Sequence, residues 1–334
     1  MSVWDDVVGQ DSAVATLRGA IADPSAMTHA WLLTGPPGSG RSNAARAFAA
    51  ALQCEQGGCG HCHACTTTLA GTHADLTIVA TEKVTIAIDE VRSLITLASR
   101  TPSQGRWRVI LVEDADRMAE RTTNVLLKAI EEPPPRTVWL LCAPSPQDVM
   151  VTIRSRCRGV SLRIPPVADV AALLESRDGI DPAVALASAR AAQSHIGLAR
   201  RLARDAGARQ RRSSVLSIAR RIRGVPDAVI AAGELVEVAQ AEARSATEER
   251  DATEKAELLR SLGAEGSQTL PPSLRSQVKQ LEDDQKRRAT RRQRDVLDRS
   301  MVDLLSLYRD VLVVQLGAQV DLVNTELAET VQAL

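Results

Sequence analysis

Aromatic side chains are scarce in this sequence. They make up 2% of its 334 residues, with one phenylalanine, Phe48, and one tyrosine, Tyr308. Large rings contribute much of the buried surface in many domains. A chain this poor in them must build its core from aliphatic side chains and alanine.

Net charge, long apolar runs and a secretion signal are also missing. The 41 basic residues balance 41 acidic ones, so the overall charge gives no reason to expect binding to nucleic acid or to an anionic membrane. No run of 18 or more apolar residues predicts a transmembrane helix. Residues 1–6 lack the basic and apolar segments of a signal peptide. We therefore expect a cytoplasmic protein, in a compartment where disulfides are rare.

The length predicts more than one domain, because domains usually hold about 100–200 residues. Strand and helix patterns alternate over residues 1–165, which predicts a parallel sheet covered by helices on both faces. A Pro-Pro pair then breaks the chain, and only helical patterns follow. We predict an α/β domain at 1–165, a small helical domain at 166–212, and a region of long helices at 213–334.

The predicted elements follow hydrophobic periodicity and turn residues. The predicted strands are Ala30–Thr34, Asp75–Ala80, Trp107–Val112, Thr137–Cys142 and Gly159–Arg163. The predicted helices are Asp11–Ala22, Arg41–Leu52, Asp89–Ser99, Ala119–Glu132, Ala168–Glu175, Pro182–Ala192, Ile196–Ala206, Pro226–Leu259 and Ser273–Gln315. A Gly-rich loop is predicted at 263–267. The sequence ends within a helical pattern, which suggests that further helices follow.

A phosphate-binding pattern follows the first predicted strand. The segment G-P-P-G-S-G-R-S fits G-x-x-x-x-G-[K/R]-S and opens a predicted helix. Gly35, Gly38 and Gly40 would let backbone N–H groups surround a polyphosphate, and Ser42 would hold Mg²⁺. Arg41 replaces the usual lysine with a bulkier planar cation, which favours phosphate binding over efficient hydrolysis. The alternative is a strand-to-helix turn that no longer binds nucleotide.

An acidic pair follows the third predicted strand, as expected of an NTPase. Glu113 and Asp114 stand in the inverse of the usual Asp-Glu order, so each carboxylate is displaced by one methylene group. A displacement of about 1 Å can reduce a rate by roughly 10²-fold. The pair therefore predicts weak or absent hydrolysis, and the alternative is an ordinary acidic strand end.

Four cysteines lie close together in the spacing C-x₄-C-x₂-C-x₂-C. They are Cys54, Cys59, Cys62 and Cys65. Four thiolates suit a tetrahedral, structural Zn²⁺ site without an open position. Disulfides are the alternative, and the expected compartment argues against them. His61 and His63 are expected to be solvated, and Cys142 and Cys157 to be packed thiols.

Several of these motifs occur together in bacterial clamp-loader subunits of the AAA+ family, which this chain resembles over residues 3–205. The shared motifs are Val3–Gln10, the phosphate loop, the cysteine cluster, Gly71–Asp75, Leu126–Pro134 and Ser155–Cys157. The resemblance implies an AAA+ domain at 1–165 with a zinc module at 54–65, a helical lid at 166–212 and an oligomerisation collar at 213–334. Family members usually have a longer gap between the first two cysteines.

The family contains ATP-hydrolysing motor subunits and a stator subunit, and four departures favour the stator. Two are Arg41 and the inverted acidic pair. In addition, Ala143-Pro144-Ser145 replaces a sensor A-T-T run, and Gly197 stands at the sensor-arginine position. The resemblance assigns to Arg156 the role of an arginine finger, which one subunit inserts into its neighbour's ATP site.

The implied partners are the other subunits of a pentameric loader, a ring-shaped sliding clamp and primer–template DNA. Two competing interpretations are a motor-type ATPase and a zinc-dependent nucleic-acid-binding module. Two arginine-rich runs, within 200–212 and 286–294, are more consistent with solvated helix faces than with DNA contacts. We expect no polymerase chemistry from this chain, because no nucleotidyl-transfer site is apparent.

Overall fold

The computed structural model describes residues 2–81, 85–261 and 272–333. It divides into two compact units, which meet in the sequence between Arg204 and Asp205. The predicted loop at 263–267 lies outside the described residues. The three-domain division at 165/166 and 212/213 stays a prediction.

Among the described residues, the first unit contains a five-stranded sheet and nine α-helices. The strands are β1 (Ala30–Thr34), β2 (Leu76–Val79), β3 (Arg108–Val112), β4 (Thr137–Ala143) and β5 (Arg158–Ser161). The helices are α1 (Asp11–Ala22), α2 (Arg41–Gln53), α3 (His63–Leu69), α4 (Ile88–Ala98), α5 (Glu120–Glu131), α6 (Val151–Arg154), α7 (Val167–Asp178), α8 (Pro182–Ala191) and α9 (Ile196–Arg204). Short 3₁₀ helices lie at Pro24–Ala26, Ala115–Arg117 and Pro146–Asp148. All strands are within a few residues of their predicted positions.

The sheet is parallel throughout, in the order β2-β3-β4-β1-β5. Successive β1 residues alternate between two cores. Trp31 and Leu33 join one core, while Ala30 and Leu32 join the core on the opposite face. The predicted fold class, a parallel AAA+ sheet covered on both faces, is confirmed. This order brings the carboxyl ends of β1, β3 and β4 to one edge, where ligands bind in open α/β sheets.

Alanine-rich packing replaces aromatic bulk, as the composition predicts. Helix α2 buries a run of alanines against β1. Phe48 on this helix meets Trp31 edge to face, with ring centroids 5.1 Å apart. Trp31 and Trp139 are both fully buried. The small side chains allow α2 to lie close to the sheet, and this fixes the phosphate loop that precedes the helix.

The second unit is helical. It contains α10 (Ala206–Ser217), α11 (Val225–Ser261), α12 (Pro272–Gln315) and α13 (Ala328–Ala333), with short 3₁₀ helices at Ile218–Arg220 and Thr325–Leu327. The two predicted long helices are thus confirmed. Among the described residues, no helix combines the length and apolar character that a membrane span requires.

Members of both arginine-rich runs form ion pairs inside this unit. Arg212 is buried and donates to Asp303 on α12, 3.0 Å away. Arg288 contacts Asp251 at 2.8 Å and Glu254 at 2.5 Å, both on α11. Hydrogen bonds from Arg288 lower the pKa of Glu254 to about 2. These two arginines therefore hold helices together, whereas the sequence indicated solvated faces.

Candidate functional site

The phosphate loop joins β1 to α2, as the motif predicts. Gly38 and Gly40 have φ angles of 89° and 85°, in the left-handed region that favours glycine. A side chain at Gly38 would also have its Cβ 2.8 Å from the Cα of His195. The segment before α9 therefore packs directly on the loop, and both glycines are required for the observed backbone.

Polar groups of this loop are arranged around the start of α2. Arg41, the first residue of the helix, donates from Nη1 to the carbonyl oxygen of Gly35 across the loop. Ser42 follows in the same helical turn, which contains no acidic residue. The hydroxyl of Ser39 is buried and has no hydrogen-bond partner among the described residues. A helix N-terminus with an added cation and an unpaired hydroxyl is suited to an anion.

A cavity of about 450 Å³ opens at the loop. Arg177 from α7 and Arg200 from α9 line it together with Gly197. Both arginines pair with Asp178, at 3.4 and 3.0 Å. No cation was predicted here, because Gly197 stands at the position where the family motif has its arginine. Arg200 lies one helical turn further along, so helical spacing is the signal that could have identified it.

The acidic pair lies beside the loop but is engaged by arginines. Glu113 accepts hydrogen bonds from Nε and Nη2 of Arg46, at 3.0 and 2.9 Å. The Oδ1 atom of Asp114 lies 3.5 Å from Nε of Arg117. Burial raises the pKa of Asp116, the next acid along the chain. Arg46 was not predicted, because its contact with Glu113 joins α2 to the end of β3 across the fold.

The four cysteines converge. The sulfur atoms of Cys54, Cys59, Cys62 and Cys65 all lie within 4.8 Å of one another. The Sγ of Cys54 is 3.7 Å from the Sγ of Cys59 and 3.7 Å from that of Cys62. Zn–S bonds of about 2.3 Å in a tetrahedron separate the sulfurs by about 3.8 Å. This donor set fits a zinc ion, and all four predicted ligands belong to it.

The backbone around the four cysteines forms tight turns and donates hydrogen bonds to the cluster. Gly57, Gly58 and Gly60 have positive φ angles, which allow the tight turns between the cysteines. Burial acts to raise the pKa of Cys54, but backbone N–H donors outweigh it and lower the value to about 6. Burial raises the pKa of Cys65 well above its ordinary value. The neighbouring histidines are exposed and lie outside the cluster.

Two buried polar side chains connect the cysteine module to the sheet. Gln53, at the end of α2, accepts from the backbone N–H of Arg106 at 2.9 Å and donates to the carbonyl of Trp107 at 2.6 Å. Asp75, the last residue of the predicted Gly71–Asp75 motif, is fully buried and pairs with Arg108 at 2.9 Å. It also accepts from three successive backbone N–H groups, those of residues 103–105. The motif is therefore structural.

Arg156 lies on the surface between α6 and β5. Its side chain is 39% exposed and contacts Glu131 at 2.5 Å. It also donates to the carbonyl of Thr152 at 2.8 Å. The neighbouring arginines are engaged within the fold. Arg154 donates to the carbonyl of Pro146, and Arg158 lies over the ring of Trp31, 5.1 Å from its centroid.

The two remaining cysteines are packed, as predicted. Cys142 is completely buried in β4, and Cys157 is partly buried beside the second core. Burial raises the pKa of each thiol to about 12. At neutral pH both thiols are therefore protonated and unreactive as nucleophiles.

Comparisons with known proteins agree with these motifs. The family model described as DNA polymerase III, delta subunit, matches residues 9–166. The delta' subunit of DNA polymerase III from Pseudomonas aeruginosa is 34% identical over 194 residues, which cover 56% of this chain and 59% of that protein. Subunit gamma/tau from Mycobacterium tuberculosis strain H37Rv is 33% identical over 174 residues, covering 51% of this chain and 30% of that protein.

A crystal structure of a DNA polymerase III gamma subunit-related protein from Thermotoga maritima aligns with 87% of this chain and 98% of its own, at 15% identity and a TM-score of 0.41. The chain spans less than two thirds of the length of the two sequence relatives. The matched family model, the ordered motifs and the strand order of the sheet agree on one assignment. Over residues 9–166 this chain matches the family of the DNA polymerase III delta subunit, and in sequence it is similar to the delta' and gamma/tau subunits of that polymerase.

Proposed function

We propose that this chain is the stator of a cytoplasmic clamp loader. It assembles with gamma/tau and delta subunits, and the complex loads the sliding clamp onto primer–template DNA during replication. The observation that carries the stator role is the engagement of Glu113 by Arg46, through two hydrogen bonds to one carboxylate oxygen. A carboxylate held in this way is poorly placed to orient Mg²⁺ and an attacking water.

The phosphate loop supports nucleotide binding more than hydrolysis. Its left-handed glycines and the buried Ser39 hydroxyl suit an anion, and Ser42 lines the cavity where Mg²⁺ would be held. Arg41 already donates to the Gly35 carbonyl, and this contact must break before the guanidinium can serve a phosphate. We infer that ATP and Mg²⁺ can occupy the loop through Gly35, Gly38, Gly40, Arg41, Ser42 and the Glu113–Asp114 pair, while turnover by this chain is weak or absent.

The chemical contribution of this chain is then Arg156, acting at a neighbouring subunit's ATP. Its guanidinium is exposed and keeps a planar set of donors, which matches the oxygens of a transferring phosphoryl group. A finger of this kind neutralises charge that develops during transfer and can increase the rate by about 10³–10⁵-fold. Any polymerase activity belongs to the assembly.

The zinc site is proposed to be structural. Four cysteine ligands leave no open coordination position for a substrate. The module is anchored by the N-terminal segment, where Val3 donates from its backbone to the carbonyl of Gly58 at 3.1 Å. Removing the metal is therefore expected to loosen α3 and the start of the chain.

The second unit is proposed to form the oligomerisation collar. Helix α12 exposes an apolar stripe in which residues recur at alternating four- and three-residue steps, the spacing of a helix–helix seam. Its members are Met301, Leu305, Tyr308 and Leu312, each between 46% and 64% exposed. Such a stripe is costly in water, so it supports contact with a helix of another subunit.

The alternative is an ATP-hydrolysing motor of the gamma/tau type, which the sequence relatives include. ATP turnover by the isolated chain separates the two functions. We expect no turnover above background, and no change on Arg41→Ala. Robust turnover that Arg41→Ala abolishes would contradict the stator function and favour the motor.

A further inference from the structure

The Arg156 side chain is held on two sides within its own subunit. Nη2 lies 2.5 Å from Oε1 of Glu131, at the end of α5. Nη1 donates to the carbonyl of Thr152 at 2.8 Å and to the hydroxyl of Ser155 at 3.4 Å. The guanidinium plane is therefore fixed by two different elements, although the side chain lies at the surface.

Glu131 occupies an electrostatically unfavourable position. It is the last residue of α5, where the helix presents its partial negative charge. Pro133 follows two residues later and prevents the helix from continuing. A carboxylate at this end is disfavoured unless a cation accompanies it, and Arg156 supplies that cation.

These contacts leave two N–H groups of the Arg156 guanidinium available to donate to another acceptor. Of its five N–H groups, the Nε–H and one on Nη2 have no partner among the described residues. We propose that Glu131 is a positioning residue, which orients Arg156 so that its remaining donors face the phosphoryl group of ATP in an adjoining subunit. This inference rests on the proposed arginine-finger function and extends it to a second residue.

The Arg156–Glu131 ion pair is suited to orienting the guanidinium rather than to stabilising the fold. Both side chains are about 40% exposed, at 39% and 42%. Ion pairs of this exposure contribute little to folding. Loss of Glu131 should leave folding and assembly intact while freeing the guanidinium to rotate. Misplacement by about 1 Å can reduce a rate by roughly 10²-fold, so an intermediate loss of about 10-fold is expected.

The test uses the complex reconstituted with gamma/tau and delta subunits, the sliding clamp and primed DNA. ATP hydrolysis is measured for wild type, Glu131→Ala, Glu131→Gln, Arg156→Ala and the double variant Glu131→Ala/Arg156→Ala. Glu132→Ala is the matched control, since Glu132 is an exposed neighbour without an ion pair among the described residues. Subunit incorporation is measured in parallel by size-exclusion chromatography.

We expect Glu131→Ala to lower kcat about 10-fold with the KM for ATP unchanged, as loss of orientation in the transition state requires. Glu131→Gln, which keeps a hydrogen-bond acceptor, should restore part of the rate, and Glu132→Ala should match wild type. The double variant should be no slower than Arg156→Ala.

Three results would overturn the inference. In the first, Glu131→Ala has the wild-type kcat while Arg156→Ala has a reduced kcat. In the second, Glu131→Ala has a higher kcat than wild type. In the third, the double variant loses more activity than Arg156→Ala, by the factor that Glu131→Ala loses alone. If Arg156→Ala itself has no effect, the finger function fails first, and the positioning role fails with it.

Discussion

Replacing Asp75 with asparagine is expected to destabilise the first unit strongly while leaving its surface unchanged. The carboxylate is fully buried, and its two oxygens accept from the backbone N–H groups of Ser103, Gln104 and Gly105 at 2.6–2.7 Å. Asparagine offers one acceptor oxygen, so its amide group would face backbone donors. Arg108 would also lose its 2.9 Å partner while remaining buried.

The size of this effect follows from the pKa of Asp75. Burial acts to raise it, but the backbone hydrogen bonds lower it to about 2. A fall from the ordinary value of about 3.9 to about 2 corresponds to about 2–3 kcal/mol of folding free energy at neutral pH. Because an unpaired buried arginine adds a further cost, we expect Asp75→Asn to lower the free energy of unfolding by about 2–4 kcal/mol at pH 7.

Urea unfolding followed by tryptophan fluorescence measures this directly, because the four tryptophans at 4, 31, 107 and 139 all lie in the first unit. Asp89→Asn is the matched control. Asp89 is 84% exposed and pairs with Arg92 only at the surface, so its loss should cost under about 0.5 kcal/mol.

The pH dependence has a defined sign. The folded-state pKa is lowered, so the stabilisation is present above the unfolded value and is lost as the pH falls from about 4 toward 2. The difference between wild type and Asp75→Asn should be constant from pH 7 to 5 and shrink below pH 4. A difference below about 0.5 kcal/mol at pH 7 would refute this account of the residue.

The proposed zinc site and the proposed collar can each be tested by substitution. Metal analysis of the wild-type chain should find one zinc ion per chain. The Cys59→Ser variant should lose the zinc, and the control variant Cys157→Ser should retain it. A wild-type chain that is folded but free of metal would contradict the zinc site. Leu305→Asp should reduce incorporation into the reconstituted complex about 10-fold or more without lowering the Tm of the chain, because it places a charge in the proposed seam. Val320→Asp, at a position 55% exposed and outside helix α12, should incorporate normally, and equal incorporation of both variants would exclude this stripe as the contact.

Much of the first unit could be predicted because its signals are local. The apolar run at 30–34 forms β1 as predicted, and α1 begins and ends at the predicted residues. The C-x₄-C-x₂-C-x₂-C spacing also identified the four cysteines that converge. Helix α3 was missed because it has seven residues, three of them threonines, and it depends on the cysteine module for its support.

Contacts between distant side chains could not be read from the sequence. Glu113 and Arg46 are 67 positions apart, and Arg156 meets Glu131 across two helices and a strand. Motif spacing places each residue on an element, but the packing of α2 on the sheet decides which arginine reaches the acid. The same reason explains the run at 200–212, where Arg212 is buried against α12 instead of facing water.

The proposed arginine-finger function of Arg156 is tested directly by the ATP turnover of the reconstituted clamp loader, stimulated by primed DNA, with the wild-type chain or its Arg156→Ala variant. Arg92→Ala is the control, because Arg92 is also exposed and ion-paired but lies on α4. We predict that Arg156→Ala assembles normally and that turnover at the site it completes falls by about 10³-fold or more, with clamp loading reduced accordingly. Unchanged turnover and loading with Arg156→Ala would contradict the arginine-finger function.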